Sequence, residues 1–103
     1  MKLKPGVSVL DIQPELVLAL IIINSIYQKH GLELVITSVS DGKHMQNSLH
    51  YAGEAADLRI TPDSNLNKKL LEEIRSALDA EFDVILEPSH FHVEYDPDPK
   101  SSH

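Results

Sequence analysis

The chain has no cysteine, which excludes both a disulfide framework and a thiolate metal site. Its compartment therefore stays open, since oxidising and reducing surroundings suit it equally. Basic residues are also scarce: 9 Lys and Arg stand against 16 Asp and Glu, a formal charge of −7. No basic footprint for nucleic acid or for an anionic membrane is present. Long apolar runs are missing as well. The longest, residues 16–23, is far short of the ~20 residues that span a bilayer. The lysines at the start are followed by neither an apolar segment nor a small-residue cleavage site. A soluble chain with no export signal of its own is expected. No repeat, low-complexity tract or linker interrupts residues 1–96. Residues 97–103 are polar and broken by Pro97 and Pro99, and are expected to form a frayed tail in which His103 is incidental.

What is there suits one small domain. With 103 residues, 42% of them hydrophobic, the chain can bury roughly two-thirds of its unfolded surface. Pro14 fits the first turn of a helix over 15–29, whose apolar residues cover nearly the whole circumference, so the helix is expected to be mostly buried. Gly31 tolerates the left-handed closing position, and Lys29 and His30 suit the negative helix end; His30 is read as having that role only. Residues 32–38 and 55–60 read as strands. Asp63 or Ser64 can cap a second helix running to about residue 80, where Leu66, Leu70, Ile74 and Leu78 recur at four-residue spacing. Lys68, Lys69, Glu72, Glu73 and Arg75 form its solvated face. Residues 82–86 and 91–95 complete the set as strands around a short turn, and so short a connection pairs them antiparallel. The expected architecture is α+β: a small, largely antiparallel sheet with two packed helices.

Three segments carry residues that suit a metal site: Ser48-Leu49-His50-Tyr51-Ala52-Gly53-Glu54-Ala55-Ala56-Asp57, then Glu87, then His90-Phe91-His92. A zinc hydrolase needs three protein ligands, an open position for water and a nearby acid/base group. Seven extended residues span about 23 Å, so His50 and Asp57 share an ion only if the chain doubles back, which Gly53 permits. A loop histidine and a strand aspartate are, by themselves, common by chance. His90 and His92 project from one strand face about 6.6 Å apart, with Glu94 continuing that face and Phe91, Val93 and Tyr95 on the other. Such a face can equally be plain exposed polarity. Glu87 lies near the histidines without being forced to bind. His44, in the polar segment 41–47, borders the His50 loop or is simply a loop histidine. Arg59 shares a face with Asp57 and can orient a carboxylate or form a surface ion pair.

The first segment resembles the S-x-H-x-x-G-x-A-x-D motif of the zinc D-alanyl-D-alanine peptidase superfamily, through Ser48, His50, Gly53, Ala55 and Asp57. That superfamily includes D,D-carboxypeptidases, D,D-dipeptidases, phage L-alanyl-D-glutamate endolysins and the zinc-binding signalling domain of Hedgehog proteins. Locally the likeness to Hedgehog is strongest: Asp41-Gly42, His44 and Ser48-Leu49-His50-Tyr51 fall at the spacing of its metal loop, and His90-Phe91-His92 resembles its H-x-H. The resemblance covers residues 14–96 and implies a Hedgehog/D,D-peptidase-like fold, a Zn²⁺ cofactor and His50 and Asp57 as ligands. For the third ligand it leaves two choices. Glu87-Pro88-Ser89-His90 satisfies the E-x-x-H of carboxypeptidase-like members and would make His90 the ligand; the intact H-x-H favours His92. Glu87 would then be the base, with His90 and His44 as oxyanion-stabilising partners. Many superfamily peptidases hold the substrate's terminal carboxylate with an arginine soon after the preceding strand. Asp41 stands there instead, and Lys43 and Arg59 are out of register. That favours an endopeptidase over a D,D-carboxypeptidase.

The expectation is a monomeric zinc metallopeptidase cutting peptidoglycan stem or cross-link peptides, with no nucleic-acid or membrane partner. The alternative is a non-catalytic zinc domain that binds a peptide or protein. A zinc-free scaffold or small-molecule binder is a weaker third reading.

Overall fold

The computed structural model describes residues 1–8, 12–40 and 54–96. In chain order the elements are β1 (Lys2–Leu3), α1 (Pro14–Lys29), β2 (Val35–Ser40), β3 (Ala55–Arg59), α2 (Ser64–Ala77), β4 (Phe82–Leu86) and β5 (His90–Tyr95). The five strands form one sheet in the order β1-β2-β3-β5-β4. Only the β1–β2 pairing is parallel; the other three are antiparallel. The domain is thus a compact α+β unit with two helices on a mixed five-stranded sheet. The parallel edge strand β1 was not foreseen, because two residues carry no periodic signal.

The core lies between the helices and one face of the sheet. Leu16, Leu20, Ile23 and Tyr27 of α1 and Leu70 and Ile74 of α2 pack onto Ile36, Ala56, Leu58, Val84, Phe91 and Val93. The contribution of α1 has a consequence for the sheet. The buried Tyr27 hydroxyl donates to the Arg59 carbonyl at 2.9 Å, tying helix to β3. Burial pushes the Tyr27 phenol well above its ordinary range, so it stays a neutral donor.

Both helices end where local chemistry requires. Gly31 sits at φ +71°, the left-handed conformation glycine accepts most readily. Asp63 is the N-cap of α2 and accepts from the backbone N–H groups of Asn65 and Leu66. The helix stops at Ala77, short of the expected residue 80, because Leu78 is already extended at φ −96°, ψ 154°. Thr61 and the buried Asn67 fix the β3–α2 connection through reciprocal bonds of 2.8–2.9 Å.

Three expectations need correction. Helix α1 is not mostly buried: Val17, Leu18, Ile21 and Ile22 are exposed, because the helix packs on the sheet with one side only. His30 does more than suit a helix end, since its Nε2 lies 2.6 Å from Glu73 on α2. Lys29 pairs with the same carboxylate, and the hydrogen bonds from Lys29 and then from His30 hold Glu73 below the ordinary carboxylate range. Nor is Arg75 merely solvated. Its Nε and Nη2 donate to the Val84 carbonyl at 2.9 and 2.6 Å, covering part of the open edge of β4.

Candidate metal centre

The register of three neighbouring strands builds the site. Asp57 of β3 is paired directly with His92 of β5, and Arg59 with His90. On the other side of β5, Ile85 of β4 is paired with His92 and Asp83 with Glu94. Directly paired residues in an antiparallel sheet project from the same face. Asp57, His90, His92, Glu94, Asp83 and Ile85 therefore share the face opposite the core. The alternation along β5 is complete: Phe91, Val93 and Tyr95 are buried while His90, His92 and Glu94 are not.

The donor atoms converge. His92 Nδ1 is 2.9 Å from Asp57 Oδ1, and His90 Nε2 is 3.7 Å from the same oxygen. One ligand atom from each of Asp57, His90 and His92 lies within 4.8 Å of the others. Two donors each about 2.0–2.1 Å from a tetrahedral zinc sit about 3.3 Å apart, a value that the two measured separations bracket. The side chains are 30%, 31% and 29% exposed, so the cluster is held by the sheet yet open on one side. Two imidazoles and a carboxylate are a donor set that zinc accepts.

Neighbouring groups orient these side chains. Ser89 Oγ lies 3.0 Å from His90 Nδ1, engaging the ring nitrogen that faces away from Asp57. Glu94 Oε1 lies 3.3 Å from His92 Nε2, so His92 has a carboxylate at each nitrogen. Burial of the ring works against its charge, but the hydrogen bonds and charges of Asp57 and Glu94 outweigh it and raise the His92 pKa above the ordinary value of 6.5. Asp57 itself is steadied from the other side. A β-bulge between Ile36 and Ser38 interrupts the β2–β3 register, and Thr37 there donates its hydroxyl to the Asp57 carbonyl at 3.2 Å. Bulges commonly re-aim a strand beside a functional site.

The sequence-derived site residues divide clearly. Asp57, His90 and His92 are brought together. Both candidates for the third ligand border Asp57, and the His92 contact is the shorter. Glu87 stands in the β4–β5 turn, where its backbone N–H donates to the His90 carbonyl at 2.8 Å, and it is not part of the three-residue cluster. Its position in sequence places it two residues beyond Ile85, on the same parity as the histidine face. Arg59 lies opposite His90. His44 and His50, with Asp41, Lys43 and Gly53, lie outside the described residues.

Two residues beside the site and one in its scaffold had no role assigned from sequence. Glu94 was readable from its two-residue spacing to His92, and Ser89 from its place beside His90. Glu54 had no such signal. It is 2% exposed, its carboxylate accepts from the backbone N–H of Gln13, and its carbonyl accepts from the Tyr95 N–H at 2.7 Å. Glu54 thereby joins the start of β3 both to the N-terminus of α1 and to the end of β5.

No family model, curated protein or solved structure matches the chain.

Proposed function

We propose that this chain is a zinc metallopeptidase acting on peptidoglycan stem or cross-link peptides, an endopeptidase rather than a D,D-carboxypeptidase. The observation that carries the reading is the convergence of Asp57, His90 and His92 on one open sheet face. The S-x-H-x-x-G-x-A-x-D segment supports it, since Asp57 is that motif's last residue. In this reading His50, Asp57 and His92 hold the ion in a Hedgehog/D,D-peptidase-like arrangement. A bound zinc would polarise a scissile carbonyl and lower the pKa of a water to about 7. Asp57 and His92 supply charge and imidazole from a rigid platform of paired strands. His90, with its Nε2 toward the cluster, is placed to donate to a developing oxyanion, a role shared with His44. Glu87 takes the water proton and returns it to the leaving amine.

The experiment is incubation of the zinc-loaded protein with purified peptidoglycan, with released peptides read by mass spectrometry. Cleavage is expected from the parent. Glu87→Gln should be folded and zinc-loaded but slower by about 10²–10⁴-fold, the usual contribution of a general base. Equal rates would remove Glu87 from the mechanism.

The second reading is a zinc domain that only binds a peptide or protein partner, which needs no base and which the open cluster of Asp57, His90 and His92 serves equally. A zinc-loaded parent that releases no wall peptide would put that reading first.

A further inference from the structure

Helix α1 is apolar around its circumference, yet Val17, Leu18, Ile21 and Ile22 are 36%, 60%, 48% and 39% exposed. A helix with that composition is normally covered on all sides. On the helix side of the sheet, opposite the histidine face, Leu18 and Ile22 form one wall of a groove of about 280 Å³. Leu78, Phe82 and Tyr95 line it as well. Phe82 and Tyr95 are cross-strand neighbours with ring centroids 5.2 Å apart. The groove can take one or two bulky apolar side chains.

Its rim is acidic. Glu15, Asp79 and Glu81 border it, and among the described residues no lysine or arginine does. Among the described residues, none of these three carboxylates is in an ion pair. This rim selects the occupant. A second copy carries the same groove and a charge of −7, so pairing about a twofold axis would set acidic rims against each other. An anionic lipid surface is repelled for the same reason. We propose that this groove docks a cationic amphipathic segment of a partner protein, with large apolar side chains entering between α1 and Phe82 and flanking Lys or Arg residues meeting Glu15, Asp79 and Glu81. Recognition of this kind lays an apolar face in a groove and reads orientation from the charged edge.

The test uses the full chain and two fluorescein-labelled peptides of equal charge, one built from Leu and Lys as an amphipathic helix, the other with Ser in place of Leu. Fluorescence anisotropy should show binding of the Leu/Lys peptide, weakening as salt rises, and binding of the Ser/Lys peptide about tenfold or more weaker. Leu18→Gln should reduce Leu/Lys affinity about tenfold, and the Glu15→Gln/Glu81→Gln pair several-fold. Leu18 is exposed, so the fold should survive; Ile22→Gln, expected to act in the same direction, is the second variant, and circular dichroism checks both. Amide shifts in NMR should move at Leu18, Ile22, Leu78 and Phe82. Equal binding of the two peptides, no loss in the folded glutamine variants, or shifts confined to the histidine face would overturn the proposal. A dimer seen by sedimentation and dissolved by Leu18→Gln would also overturn it, by giving the groove to a second copy.

Discussion

Zinc and a proton should compete for His92, and pH is the perturbation that exposes the competition. In the metal-free protein the imidazole lies between Asp57 and Glu94, at 2.9 and 3.3 Å, and its pKa is raised above 6.5. A ligand imidazole must be neutral. Below the folded-state pKa of His92, each unit of acidification therefore adds about 1.36 kcal/mol to the cost of loading zinc, a factor of about ten in affinity. The same proton has the opposite effect on the metal-free fold. A raised pKa means that the native state binds the proton more tightly than the unfolded chain. That contribution is fully present below pH 6.5 and is lost as pH rises through the folded-state value. Acidification should thus weaken zinc binding while strengthening this part of the metal-free fold.

Competition against a chromophoric chelator, at several pH values on either side of neutrality, measures the first effect. Below the folded-state pKa of His92, the slope of log affinity against pH should exceed by about one that of a His92→Gln variant measured at the higher zinc concentration its weakened binding requires, the difference being the single proton that His92 releases. Other ligands add their own protons to both slopes and cancel in the difference. Identical slopes would show that His92 gives up no proton to the metal and would remove it from the ligand set, even if the parent still bound zinc.

Further outcomes follow from the same geometry. His92→Ala should lose zinc, whereas His90→Ala should keep zinc and lose turnover; metal analysis paired with the peptidoglycan assay decides, and the reverse pattern would make His90 the ligand. Chelation should not unfold the protein, because the core cluster contains none of the three site side chains; a far-ultraviolet dichroism signal that collapsed with chelator would contradict this. Tyr27→Phe should cost about 1 kcal/mol by leaving the Arg59 carbonyl without its donor, lowering Tm by about 4–8 °C, while zinc content stays unchanged.

The legible parts of the fold were those with a strong local signal. The alternation of residues 90–95 identified both faces of β5, and the Asp63 cap with four-residue apolar spacing identified α2. The uniform hydrophobicity of α1 misled, since composition cannot distinguish a helix packed on all sides from one packed on a single side. In the site, the H-x-H spacing and the Asp57 strand were readable, but not that they are direct neighbours. That depends on β5 inserting between β3 and β4 rather than beside β4 alone, a long-range pairing with no local sequence mark. Glu54 was unreadable for a related reason. Its burial depends on Gln13 and Tyr95, which are 41 residues away in one direction and 41 in the other.

The site's precision follows from the core. A strand's side chains alternate between faces, so a one-residue slip of β5 would turn Phe91, Val93 and Tyr95 outward and His90 and His92 inward. Each of those three apolar residues is buried, and exposing them would cost far more than any gain at the histidine face. The pairing of Asp57 with His92 is therefore enforced from the opposite side of the sheet, by Leu58 against Phe91 and Ala56 against Val93. Thr37 in the bulge and Ser89 in the turn then act on a geometry already fixed, the first on the Asp57 backbone and the second on the His90 ring. Substitutions on the open face can accordingly change the affinity for a cation without disturbing the register, whereas a core substitution such as Leu58→Ala affects both.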